Sequence, residues 1–326
     1  MEPLKKFSIK KVLKNQHKEI PGNPSTAKTS NVMLRKDATA ESLRVLTYDQ
    51  WRFWKENGYV VIKNAVERKQ ATETAKFLWE FEEKDPKNPK TWYAPPRATM
   101  EMKELAGTGM VEVYNNQHLW NNRQKTRVYD AFVDIWGTEK LWVTIDRANL
   151  NFPIRDGYEY KGFIHWDYDP ETKPQNVQGV LALSDQTDKN MGGFQCIPWL
   201  YRNYDKWKLT QPEDRNRFQP DIKDLENKLV KVAMEAGDLL IFNSTEPHGI
   251  RPNHSDGKVR IAQYISMMPA EEENQALKDW RVSSWKDRIA PEGYAFPGDP
   301  RKREQTHYET ANLSSLGERL LGLKKW

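Results

Sequence analysis

The chain of 326 residues contains a single cysteine, Cys196. One thiol cannot close an internal disulfide, so a cross-linked secreted scaffold is excluded and a reducing compartment fits. No run of about 18 apolar residues occurs, which argues against a membrane-spanning helix. The N-terminus lacks the apolar stretch of a secretory signal, and Leu323-Lys324-Lys325-Trp326 is not a peroxisomal address, so the expected location is cytoplasmic. No period of 20–50 residues recurs, which removes repeat architectures.

Most of the chain also lacks excess charge. The net charge is +5, but residues 1–46 carry ten Lys and Arg against four Asp and Glu, and the other 280 carry 41 against 42. A balanced body has no electrostatic footprint for nucleic acid, and a basic tail with Ser, Thr and Pro reads as a solvated arm. Apolar residues, at 37% with 13 tryptophans among them, are enough for one large folded domain.

Residues 1–45 are expected to form that basic arm, broken by Pro21-Gly22-Asn23-Pro24-Ser25. Thr47 offers an N-cap for a helix over 48–57 that stops at Gly58, and Tyr59-Val60-Val61-Ile62-Lys63 has the composition of a strand. The pattern predicts a helix over 67–83, a Pro-rich lid or rim over 84–110 and another helix over 118–136. Strands are expected over 141–152, 163–168, 177–183, 194–197, 229–234, 239–242 and 259–267. Short strands after a helical N-terminal third predict a mainly β fold with flanking helices, a double-sheet jelly roll of the cupin-like kind. The main domain is expected over 46–290 and an extension over 291–326. Residues 199–228 form an insertion whose aromatics alternate with charges, read either as a surface excursion or as a cap over the site. Leu313, Leu316, Leu320 and Leu323 make a stripe at helical spacing that either docks on the core or contacts a second copy in a homodimer.

Four His-x-acid triplets occur, at His17, His165, His254 and His307, where chance gives about one. His17 lies in the arm, His307 in a polar tail, and His254 in the turn-forming run Pro252-Asn253-His254-Ser255-Asp256-Gly257. Only His165-Trp166-Asp167 sits in a strand-like segment, where alternation puts His165 and Asp167 on one side and turns Trp166 into the core. A later apolar strand ends at His248, and Arg260 follows on the next strand. Two histidines and one carboxylate leave positions of an octahedral iron open, and an arginine beyond them offers a bidentate partner for the far carboxylate of a 2-oxo acid.

These residues carry a resemblance to a known family. Trp54-Lys55-Glu56-Asn57-Gly58-Tyr59-Val60-Val61-Ile62-Lys63-Asn64-Ala65, Gly192-Gly193-Phe194-Gln195-Cys196-Ile197-Pro198 and the His165, Asp167, His248, Arg260 series resemble the phytanoyl-CoA dioxygenase family of Fe(II)/2-oxoglutarate-dependent oxygenases. The resemblance covers the body from Leu46 to about Pro269, with Asn151-Phe152-Pro153 where many members have Lys-Pro-Pro. It implies a double-stranded β-helix, with His165, Asp167 and His248 as iron ligands and Arg260 as anchor of 2-oxoglutarate. It also implies O2 as co-substrate and Asn149 or Asn151 as a further co-substrate contact. A carboxylate at Asp167, where related halogenases have a small residue, implies hydroxylation rather than halogenation.

The primary substrate is expected to be a small polar or carboxylate-bearing molecule, met by Arg155, Tyr158, Tyr168, Arg202 and Trp207, with Lys161 also before the metal strand. Desaturation, cyclisation or demethylation in a biosynthetic pathway is the alternative outcome of the same iron chemistry. The rivals are a non-catalytic jelly-roll binding protein and a metal-assisted hydrolase.

Overall fold

A computed structural model describes residues 30–94, 102–155, 162–291 and 296–326. Its first helix, α1 (Tyr48–Asn57), starts at a reciprocal cap. The Thr47 hydroxyl accepts from the Gln50 amide, and the Gln50 side chain accepts from the Thr47 amide. Gly58 ends it with φ of +73°, in the left-handed region where a side chain is disfavoured.

The chain continues through β1 (Tyr59–Ile62), α2 (Arg68–Phe81), α3 (Pro89–Trp92), α4 (Lys103–Thr108) and β2 (Met110–Val111). The helix expected over 118–136 is two helices, α5 (Gln117–Arg123) and α6 (Thr126–Trp136). The break is accompanied by bonds from buried polar side chains at the end of α5. Asn122 donates to Thr74 and Gln263, and Arg123 donates to the carbonyls of Tyr114 and Asp146.

The run expected as one strand over 141–152 is likewise two, β3 (Leu141–Val143) and β4 (Ala148–Asn151). There follow β5 (Val177–Ala182), β6 (Gly193–Cys196), α7 (Pro198–Trp207), β7 (Val230–Lys231), β8 (Leu239–Asn243), β9 (His248–Arg251), β10 (Arg260–Tyr264), β11 (Met267–Pro269), α8 (Gln275–Asp287), α9 (Arg303–His307) and α10 (Ser315–Leu321). The strand expected over 229–234 shrinks to β7.

All the pairings are antiparallel. One sheet has the order β1-β8-β5-β10-β4-β2, a second β7-β6-β9, and β3 pairs with β11. β8 shows why two layers form around the larger sheet. Leu239 and Ile241 bury against the helices, while Leu240 and Phe242 face Phe194 and Cys196 of the smaller sheet. Full burial of each such side chain stabilises the fold by roughly 1.5–3 kcal/mol.

Two adjacent glycines relieve crowding at the start of β6, Gly192 against Asn151 of the larger sheet and Gly193 beside Arg251 on the neighbouring strand β9. A Cβ on Gly192 would lie 1.8 Å from Asn151 Oδ1, and one on Gly193 would lie 2.8 Å from the Arg251 guanidinium. Gly192→Ala is expected to cost about 1–3 kcal/mol of stability by overpacking. Urea unfolding followed by tryptophan fluorescence would measure it.

Of the leucine stripe of the C-terminal extension, Leu320 is fully buried and Leu313 and Leu316 pack partly buried against the core, while Leu323 is exposed; α10 packs against β3. Arg281, on α8, donates to the Leu320 and Leu321 carbonyls and so satisfies the free end of α10. Among the described residues no helix is long and apolar enough to cross a membrane.

Candidate active site

His165 and His248 are joined through their backbones before their side chains do anything. The His165 amide donates to the His248 carbonyl at 2.9 Å and the reverse bond is 3.0 Å. This single antiparallel bridge replaces the strand expected over 163–168, because the segment around His165 otherwise makes no ladder. It brings the two rings to 4.6 Å between centroids.

Asp167 completes the group. Its Oδ1 lies 3.3 Å from His165 Nε2 and its Oδ2 lies 3.5 Å from His248 Nε2. These separations are near the roughly 3 Å between neighbouring ligands of an ion held at about 2.1 Å. All three ligand atoms fall within 4.8 Å of one another.

The Glu246 carbonyl accepts from His248 Nδ1 at 3.0 Å, which fixes the ring and turns Nε2 toward Asp167. Burial would raise the Asp167 carboxyl, but hydrogen bonds and charge from His165 and His248 outweigh it and hold the group well below the usual carboxylate range. It is therefore an anion ready to meet a cation.

The three side chains open into a cavity of about 330 Å³ between the two sheets. Phe163, Phe194, Phe242, Ile250, Met110 and Met268 are among its apolar lining. Arg260 lies in the same wall and is 1% exposed. Its Nη1 donates to Asn149 Oδ1 at 2.7 Å and to the Tyr264 hydroxyl at 3.3 Å, and its Nε donates to Gln186 at 3.4 Å. Every one of those partners is neutral. No carboxylate among the described residues forms an ion pair with it. A buried guanidinium held this way is the natural complement of a carboxylate ligand.

The other residues singled out by sequence separate into groups. Asn149 touches Arg260 and donates to the Thr108 carbonyl, so it orients the guanidinium. Asn151 faces Gly192, and its Oδ1 is buried without a partner. Tyr168 lines the cavity, with its hydroxyl accepting from Asn176. Arg155 is exposed and stacks on Tyr93, its Cζ 3.4 Å from the ring centre. Tyr158 and Lys161 lie outside the described residues.

Arg202 and Trp207 are not brought to the cavity. Arg202 bonds Asn57 at the end of α1, and Trp207 is 8% exposed and packed on Trp166. None of residues 199–228 lines the cavity. Their apolar side chains, Leu200, Trp207 and Leu225 among them, bury instead against Ile164 and Trp166. The insertion therefore supports the metal segment from behind. Trp166 points into that cluster as alternation predicts, with its Nε1 donating to the Thr245 carbonyl.

Sequence reasoning missed two contributors. Gln178, on β5, donates to Asp167 Oδ2. Phe296, from the C-terminal extension, lines the cavity and lies under the Arg147 guanidinium, which pairs with Glu112. The alternation along β5 could have placed Gln178 beside Val180 and Ala182 on the inner face. Nothing in the sequence marks Phe296.

Residues 54–262 match the phytanoyl-CoA dioxygenase (PhyH) family, a span that contains His165, Asp167, His248 and Arg260. The chain belongs to that family. Among curated relatives, the chain is 26% identical over 249 residues to the Ava biosynthesis cluster protein O of Aspergillus versicolor, covering 68% of this chain and 78% of that one. Two crystal structures share the fold. A hypothetical protein of Escherichia coli superposes with a TM-score of 0.60 at 19% identity, covering 85% of this chain and 81% of that one. The GlcNAc-inducible Gig2 protein of Candida albicans gives 0.59 at 16%, covering 84% and 76%.

Family membership makes the protein an oxidoreductase whose cofactors are iron and 2-oxoglutarate. The donor set fits them. Two imidazole nitrogens and one carboxylate oxygen suit Fe(II) with positions left open, and the buried Arg260 in the same cavity is a cation of the kind that pairs with a carboxylate.

Proposed function

We propose that the chain is a non-haem Fe(II)- and 2-oxoglutarate-dependent dioxygenase that hydroxylates a small molecule with O2, releasing succinate and CO2. The observation that supports this most directly is one cavity holding both the His165, Asp167, His248 cluster and a buried arginine with only neutral partners. Iron, 2-oxoglutarate and O2 together supply the oxidising power that splits the 2-oxo acid and puts oxygen into a C–H bond.

The chain's own residues then have distinct tasks. His165, Asp167 and His248 hold the metal. Arg260, oriented by Asn149, Gln186 and Tyr264, fixes the far carboxylate of 2-oxoglutarate. Phe163, Phe194 and Phe242 keep water from the site. The fold that carries them is the double-stranded β-helix, with the two antiparallel sheets as its walls. The Aspergillus relative's name places it in a biosynthesis cluster, which favours a biosynthetic intermediate as the substrate here.

The test is spectroscopic and anaerobic. Adding 2-oxoglutarate to the Fe(II)-loaded protein is expected to produce a weak visible charge-transfer band. Succinate release that rises with a candidate substrate would then identify what is oxidised. A folded, iron-loaded protein that shows no band would defeat the reading, and metal-dependent hydrolysis indifferent to 2-oxoglutarate would put the hydrolase in its place.

A further inference from the structure

We propose that Gln178 is a positioning residue that fixes how Asp167 presents its carboxylate to the metal, an inference that rests on the metal reading above. Three observations meet at this side chain. Along β5 the even-numbered residues Val180 and Ala182 face the space between the sheets and the odd-numbered Val177 and Leu181 face the helices, so Gln178 faces inward. Its backbone is locked, because Gln178 stands opposite Phe242 in the β5–β8 ladder. Its Nε2 donates to Asp167 Oδ2 at 2.5 Å.

Asp167 comes from a segment that holds only one β-bridge, so its backbone alone does not fix the carboxylate's rotation. Gln178 sits on a rigid strand and supplies that constraint. A carboxylate has four lone-pair sites on two oxygens; Oδ1 is directed toward His165 Nε2, and the amide donor takes one site of Oδ2, which also lies 3.5 Å from His248 Nε2. By engaging Oδ2 from a fixed strand, Gln178 would set the rotation with which Asp167 presents its carboxylate to the metal that it, His165 and His248 would hold.

Hydrogen-bond partners of metal ligands typically change metal affinity by roughly 10–100-fold when removed. Cobalt(II) serves as the probe because its visible absorption reports both affinity and ligand number without turnover. Wild type, Gln178→Met, which keeps the length but removes the donor, and Gln178→Asn, whose amide is one methylene too short to reach, would each be titrated with Co(II), with and without 2-oxoglutarate.

Both variants are expected to bind Co(II) at least about tenfold more weakly and to show a smaller spectral change on adding 2-oxoglutarate. Their metal-free melting temperatures should stay near that of wild type. Unchanged affinity and an unchanged spectrum in either folded variant would overturn the proposal. Asp167→Ala separates the two layers of inference. If it loses Co(II) while the Gln178 variants do not, the metal centre stands and the role of Gln178 falls; if wild type itself takes up no Co(II), both fall.

Discussion

His165→Ala is expected to lower metal affinity by more than about 100-fold, beyond the range seen when only a ligand's hydrogen-bond partner is lost, and to abolish succinate formation while the protein still folds. The fold should survive because the structural work of this residue is done by its backbone. The His165 amide and carbonyl bond those of His248, and both bonds are available to alanine. The imidazole is about a quarter exposed and reaches into the cavity rather than the core. Trp166, which does anchor the segment through its 3.0 Å bond to the Thr245 carbonyl and its burial among Tyr204 and Trp207, is left untouched. Metal content after dialysis against Fe(II), read beside a thermal melt, checks the prediction. Wild-type metal content in the alanine variant would remove His165 from the ligand set.

The way this site is built explains which parts of it the sequence displayed. Imidazole and carboxylate spacing are local, so His165 and Asp167 could be picked out as a pair, and the end of an apolar strand marked His248. What the pattern misjudged was the reason the pair works. Its two members do not gain their common direction from a regular strand. They gain it from one bridge to His248 in front and a cluster of aromatic side chains behind.

That cluster comes from residues 199–228, whose mixed aromatic and charged composition suits a surface cap as well as a buttress. Composition cannot tell a wall from a lid, because both need one apolar face. The same limit applies to the broken elements. Nothing between Arg123 and Thr126 is a helix breaker, and the division into α5 and α6 is accompanied by buried bonds from Asn122 and Arg123 to partners outside the helix, at Thr74, Tyr114, Asp146 and Gln263. The entry of Phe296 into the cavity also depends on distant contacts, with Glu112 accepting from the Gly298 amide and pairing with Arg147.

Arg260→Met is expected to weaken 2-oxoglutarate binding by about 2–5 kcal/mol, the range for truncating one member of a buried, hydrogen-bonded charge pair, while leaving metal binding near the wild-type level. The substitution keeps an unbranched, bulky side chain against the β10 wall and removes only the guanidinium. Without 2-oxoglutarate the variant loses a buried cation whose partners carry no charge, but it leaves the Asn149 Oδ1 acceptor without its donor at a cost of about 1–3 kcal/mol, so it is expected to melt somewhat lower than wild type.

The two effects separate in a single thermal-shift experiment. A ligand present at about 100 times its dissociation constant stabilises the folded state by about 2.7 kcal/mol, so wild type loaded with a redox-inert divalent metal should melt higher when 2-oxoglutarate is added. Arg260→Met should gain little from the same addition, whatever temperature it starts from. Arg260→Lys should fall between them, since a lysine ammonium restores the charge but not the planar pair of donors that a carboxylate accepts. A full 2-oxoglutarate shift in Arg260→Met would show that another cation in the cavity holds the co-substrate. Arg147 is the candidate for that role, and its existing pairing with Glu112 makes it the poorer one, because a carboxylate arriving there would have to displace a partner already 2.5 Å away.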